Sequence, residues 1–158
     1  MTHTTPATIR QPTDGRKIGI VGDVYRFLGT GAETNGSITT IEAVVPPGGG
    51  PPYHLHRRED ETLYILEGQV TVRIGDETLV AGPGTFVALP IGIPHSFCNE
   101  SDKTVKMLIS LIPSGLEDYF FEIGQRFDDG ESPPKPTPEE IEKMVELAPR
   151  YGIEFINP

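Results

Sequence analysis

The 18 glycines and 16 prolines of this chain fall between short apolar runs, and that punctuation restricts the fold more than any other feature. Short runs rich in β-branched residues, each ended by a turn former, predict strands rather than helices. The candidate strands are Ile18 to Val21, Tyr25 to Leu28, Ile38 to Val45, Leu63 to Leu66, Val70 to Ile74, Thr78 to Val80, Thr85 to Leu89 and Thr104 to Ile112. Between them stand Glu67-Gly68, Gly75-Asp76, Gly82-Pro83-Gly84 and the segment Pro90 to Pro94. This spacing predicts an all-β sandwich or barrel over residues 17–113.

The flanks differ. Residues 1–16 are polar, with Pro6, Pro12 and Asp14-Gly15 as breakers, and predict a flexible N-terminal arm. Residues 114–158 predict a helical C-terminal extension packing on the β-domain. Ser114 is placed to cap a helix striped by Leu116, Tyr119, Phe120, Ile123 and Phe127, which favours packing on the outside over a lid across the mouth. Residues 128–136 are too polar and proline-rich for regular structure. Thr137 then caps a second helix, with Pro138 at its first position and Glu140 placed to close a capping box. Its stripe is Ile141, Met144, Val145 and Ala148, and Pro149 stops it. Tyr151, Ile153 and Phe155 fit a final extended segment.

A length of 158 residues fits one domain. A formal charge of -10 argues against nucleic acid and against an anionic membrane surface. No apolar run is long enough for a transmembrane helix, and Met1 to Arg10 lacks an apolar signal region. The single cysteine, Cys98, excludes an internal disulfide and fits a reducing compartment. A cytoplasmic protein is the expectation.

Three of the four histidines lie in two segments framed by glycine and proline. His3, in the arm, reads as incidental. On a strand, residues two apart share a face, so His54 and His56 can point inward at one metal. A turn through Arg57, Arg58, Glu59 and Asp60, read as solvated, brings Glu61 back at the start of the next strand. The turn from Pro90 to Pro94 delivers His95 from another strand. A lone His-x-His pair reads as solvated surface; the full set, three imidazoles and a carboxylate, suits one divalent transition metal such as Fe, Mn, Ni, Co, Cu or Zn. Parity then places Leu63 and Ile65 with Glu61, and Phe97 with His95, on the inner face. If Lys106 faces solvent, Met107, Ile109 and Leu111 face inward. The predicted substrate pocket is therefore Leu63, Ile65, Phe97, Met107 and Ile109, an apolar cavity with a metal at one end. Cys98, three residues after His95, faces away and reads as buried packing. Tyr53 and Tyr64 read as half-buried β-packing.

Both segments resemble the two cupin motifs. Gly48, His54, His56, Glu61 and Gly68 match the first, and Gly84, Pro90, Gly92, His95 and Asn99 match the second. The resemblance covers roughly residues 38 to 112. It implies a cupin double-stranded β-helix, or jelly-roll barrel, with His54, His56, Glu61 and His95 as metal ligands. The segment from Pro46 to Glu61, followed by Tyr64 to Gly68, looks like the quercetin 2,3-dioxygenase-like cupins among small monocupins. That likeness implies a metal-dependent dioxygenase cleaving a small aromatic or enol substrate with dioxygen, with Glu61 as the catalytic proton acceptor. A metal-dependent isomerase or lyase, active without oxygen, is the alternative enzyme reading, and a non-catalytic small-molecule-binding cupin is the third. A homodimer is expected, since barrels of this kind often pair.

Overall fold

The computed structural model describes residues 4–157. His3 lies outside the described residues. Twelve strands form: β1 (Lys17–Ile20), β2 (Asp23–Gly29), β3 (Thr39–Val45), β4 (His54–His56), β5 (Asp60–Glu67), β6 (Val70–Ile74), β7 (Glu77–Ala81), β8 (Phe86–Leu89), β9 (His95–Cys98), β10 (Val105–Ile112), β11 (Gln125–Arg126) and β12 (Ile153–Phe155). Two helices, α1 (Glu117–Ile123) and α2 (Pro138–Leu147), and a 3-10 turn at Ala148–Tyr151 complete the chain.

The strands build two facing sheets rather than a closed barrel. One runs β11-β1-β2-β3-β10-β5-β8 and the other β12-β4-β9-β6-β7. Pairing within each sheet is antiparallel. Period-two alternation sets what each strand buries. Glu61, Leu63 and Ile65 of β5 face inward, opposite Leu111, Ile109 and Met107 of β10. Ile41, Ala43 and Val45 of β3 extend the same core. Lys106 is only partly buried, on the outer face.

Two short connections bring the motifs together. Gly50 has φ +125°, and a Cβ there would lie 2.0 Å from the Phe97 carbonyl oxygen. Only glycine lets the β3–β4 loop pack this closely on β9. Asn99 fastens the same contact. Its amide donates to the carbonyls of Val45 (2.9 Å) and Lys103 (2.7 Å), and its backbone N–H donates to Gly49 O at 2.9 Å.

The C-terminal region departs from its sequence expectation in four ways. First, α1 ends at Ile123, and Ser114 does not cap it, because Leu116 occupies the N-cap position. Gly124 leaves helical geometry, and Gln125–Arg126 pair with β1 instead. Phe127 is thus buried beyond the helix rather than on its stripe. The exposed edge of β1 offers ladder hydrogen bonds that a further helical turn would forgo. Second, Thr137 caps α2, accepting from the Glu140 N–H at 3.1 Å, but Glu140 does not close a capping box. Its carboxylate accepts from the Val21 N–H (2.7 Å) and Gln125 Nε2 (3.1 Å), tying α2 to the β1–β2 turn. Third, α2 buries Met144 and, at its end, Ala148, whereas Ile141 and Val145 stay exposed on much of their surface. Fourth, α1, α2 and β12 contribute lining to the cavity between the sheets, through Tyr119, Phe120, Ile123, Ile141, Met144, Ile153 and Phe155. No helix among the described residues is long and apolar enough to cross a membrane.

Candidate metal centre and cavity

His54 and His56 lie on β4, with His54 opposite His95 of β9 in register. Glu61 sits at the start of β5, after the chain has turned through Arg57–Asp60. All four side chains are nearly inaccessible, and their ligating atoms lie within 4.8 Å of one another. The contacts are His54 Nε2 to His56 Nε2 at 3.1 Å, His56 Nε2 to Glu61 Oε2 at 3.0 Å, and His95 Nε2 to Glu61 Oε2 at 3.1 Å.

The outer ring nitrogens decide what the inner ones are. His54 Nδ1 is 2.7 Å from the Pro52 carbonyl and His95 Nδ1 is 2.9 Å from that of Ile93. A carbonyl only accepts, so each Nδ1 carries a proton, and in the neutral ring each Nε2 turns a lone pair inward. With the rings neutral, lone pairs from imidazoles and a carboxylate converge on one buried point, which is repulsive unless a metal cation, or protons on Nε2 that donate to Glu61, fill it. Donors about 2.0–2.2 Å from a common centre would be spaced in this way, so the residues fit a divalent transition metal. This backbone anchoring of the distal nitrogen is also how metal-ligating imidazoles are oriented in general.

Electrostatics favour the ligating forms at two positions. Burial pushes His54 down to about 4, against the pull of Glu61, so it is neutral near pH 7. Burial alone would raise the Glu61 carboxyl, but hydrogen bonds from His56 and His95 outweigh it and hold the group well below the usual carboxylate range. His95 is raised; burial lowers it, and the hydrogen bond and charge of Glu61 more than offset that.

Three of the four donors, His54, His56 and Glu61, line a cavity of about 230 Å³, and His95 stands behind them, a volume somewhat below the roughly 300–1,000 Å³ common for small-molecule clefts. Phe97, Ile109 and Leu111 line it, as do Tyr119, Ile123 and Met144 from the helices. Leu63, Ile65 and Met107 do not. Parity turns them inward, but they lie two and four residues further along the paired strands than Glu61 and Leu111, within the packed core. Cys98 faces away from the cluster and is only half-buried. Tyr64 is exposed, and Tyr53 donates to Gly75 O at 3.1 Å.

Two acidic residues emerge that the sequence reading missed. Glu59, taken as part of a solvated turn, is buried, with Oε2 3.8 Å from His56 Nδ1. Neither of those two atoms has a hydrogen-bond partner among the described residues, so a small movement would pair them and orient the His56 ring. Asp23 is buried on β2 and lines the cavity. Extending the Tyr25 to Leu28 strand by two residues would have put Asp23 on the inner face with Tyr25 and Phe27. Glu59 left no such signal, because its neighbours are all charged.

Residues 41–111 match the family described as Cupin domain. The chain is 25% identical over 140 residues to a quercetin 2,3-dioxygenase of Bacillus subtilis (strain 168), covering 88% of this chain and 41% of that protein. It is 27% identical over 134 residues to a quercetin 2,3-dioxygenase of Aspergillus japonicus, covering 80% of this chain and 38% of that one. The chain thus spans about two fifths of the length of these curated relatives. Among solved structures, the polyketide cyclase RemF from Streptomyces resistomycificus aligns at a TM-score of 0.59 with 25% identity, over 68% of this chain and 80% of that one. Motifs, sheet topology, four-donor cluster and these matches agree on a cupin domain at residues 41–111.

Proposed function

We propose that this protein is a metal-dependent dioxygenase that cleaves a small, flat aromatic or enol substrate carrying an acidic hydroxyl. The observation that carries the reading is a buried His54–His56–Glu61–His95 cluster that opens onto a mostly apolar cavity through His54, His56 and Glu61, in a chain whose curated relatives include quercetin 2,3-dioxygenases. His54, His56, Glu61 and His95 would hold one divalent metal. When bound, it supplies Lewis acidity and, if redox-active, a path for electrons to dioxygen.

The chain's own residues do the rest. The carbonyls of Pro52 and Ile93 fix the rings of His54 and His95. Glu61 lines the cavity as a carboxylate, and once it swings off His56 and His95 it would take the proton of a substrate hydroxyl bound there. Phe97 from one sheet, Ile109 and Leu111 from the facing one, and Tyr119 and Met144 from the helices would pack against a flat ligand and exclude water. Beside this we propose a homodimer, supported by Tyr64 and Phe86, register partners on β5 and β8 whose rings stand exposed on the outer face; light scattering after gel filtration tests it.

The test of function is elemental analysis of untagged protein followed by oxygen uptake with a flavonol panel. About one redox-active metal per chain with substrate-dependent oxygen consumption is expected. Bound metal without oxygen uptake would sink the dioxygenase reading. The likeness to a polyketide cyclase favours one second reading, an isomerase or lyase using the metal as a Lewis acid only. It requires turnover under argon and with Zn.

A further inference from the structure

We propose that Asp23 is the specificity-determining residue of this cavity, its carboxyl anchoring a hydroxyl on the part of an aromatic ligand that lies away from the His/Glu cluster. The inference rests on the dioxygenase reading and adds to it which aromatic ligands are selected.

Four observations carry it. Asp23 is 4% exposed and lines the cavity, yet it is not a member of the four-donor cluster. Its strand, β2, is separated from β5 and Glu61 by β3 and β10, so it supplies a second polar pole across the sheet from the first. Its Oδ1 is buried and has no hydrogen-bond partner among the described residues. A carboxyl in that condition costs free energy and calls for a compensating contact. Finally, the Gly48–Gly50 loop packs directly on it: a Cβ at Gly49 would lie 2.3 Å from Oδ1. The loop that delivers His54 thus also encloses Asp23, and one segment sets both poles.

The chemistry selects a hydroxyl. Burial raises Asp23 to about 7, against a hydrogen bond from the Gly50 backbone, so near neutrality the carboxyl can both donate and accept. A phenol does the same and can satisfy both roles at once. Tyr25, two residues on and on the same face, also lines the cavity. Its phenol is pushed well above its ordinary value by burial and then by the charges of Asp23 and Glu61. It therefore stays a neutral donor between two acids. Lining that is otherwise mostly apolar gives a ligand without a second hydroxyl nothing to pair with Asp23.

The test uses metal-loaded full-length protein titrated, by absorbance, with quercetin and with the flavonol that lacks its ring hydroxyls. Wild type should bind quercetin about tenfold tighter, the effect of one hydrogen bond to a buried polar group. Asp23→Ala should bring the two affinities to within about twofold, with metal stoichiometry and the unfolding midpoint showing that the fold persists. A merely structural Asp23 would weaken both ligands alike and leave their ratio unchanged, which would overturn the proposal while leaving the flavonol reading intact. Should Asp23→Ala fail to fold, Asp23→Leu, close in size and without polar atoms, replaces it. A ratio reduced by about threefold or more supports the anchor, and an unchanged ratio overturns it. If wild type binds neither flavonol, the ligand class of the dioxygenase reading fails and the anchor fails with it.

Discussion

Single atoms decide most of the chemistry. The distal nitrogens of His54 and His95 are committed to backbone carbonyls, which leaves their Nε2 lone pairs and the Glu61 carboxylate facing one point. Removing one imidazole should therefore remove the metal and little else. His56→Ala is expected to abolish stoichiometric metal binding while keeping the far-ultraviolet dichroism of the sheets; full metal occupancy in that variant would refute the ligand assignment. Asp23 gives a prediction in pH. Its carboxyl titrates near 7 in the folded chain, against an ordinary value of 3.8. The unfolded chain releases this proton first, so the group costs stability as pH rises from about 4 to about 7, and the penalty is constant above that. Asp23→Asn should be stabilised relative to wild type by an amount near zero at the acidic end and up to a few kcal/mol at pH 8. Urea unfolding of both proteins at the two pH values checks the sign, since the other titrating groups largely cancel in the difference.

At the scale of elements, the site depends on connections that hold strands from both sheets in place. The β3–β4 loop presses Gly50 onto the Phe97 carbonyl in a conformation foreign to other residues. Gly50→Ala should cost more than about 2 kcal/mol and weaken metal binding along with folding, because the same loop leads to His54. A thermal scan with and without added metal would show both effects. The helical wall is fastened by side chains rather than by its stripe alone. Glu140 binds the Val21 N–H, and the Tyr119 hydroxyl donates to the Met144 carbonyl at 2.8 Å. Glu140→Ala would leave the part-buried Val21 N–H unpaired, at a cost of about 1 kcal/mol. Because α2 lines the cavity with Ile141 and Met144, the variant should also bind more of an apolar dye such as ANS. Unchanged dye fluorescence would argue against a fastening role.

Over the whole molecule, metal binding and folding should be linked. The ligands come from β4, β5 and β9, strands of two different sheets, so a metal cross-links the sandwich and binds the folded chain only. At a hundredfold excess over its dissociation constant the stabilisation is about 2.7 kcal/mol, or roughly 5–10 °C for a domain of this size. Chelation should reverse it. A midpoint indifferent to metal and chelator would mean that the cluster binds none.

Much of this was legible in the chain. Glycine and proline spacing marked the strand breaks, and period two marked their inner faces, because both are local rules. His-x-His, Glu61 and His95, framed by glycines, marked the four side chains that the fold gathers into one buried cluster. What required the tertiary structure depended on partners remote in sequence. The open edge of β1 captured Gln125–Arg126 and ended α1. Glu140 left its own helix end for the Val21 N–H. Leu63, Ile65 and Met107 proved to be packed core, because parity fixes a face but not a depth along the strand. Asp23 and Glu59 look like ordinary surface acids in sequence, and only the sheets folding over them made them buried and short of partners.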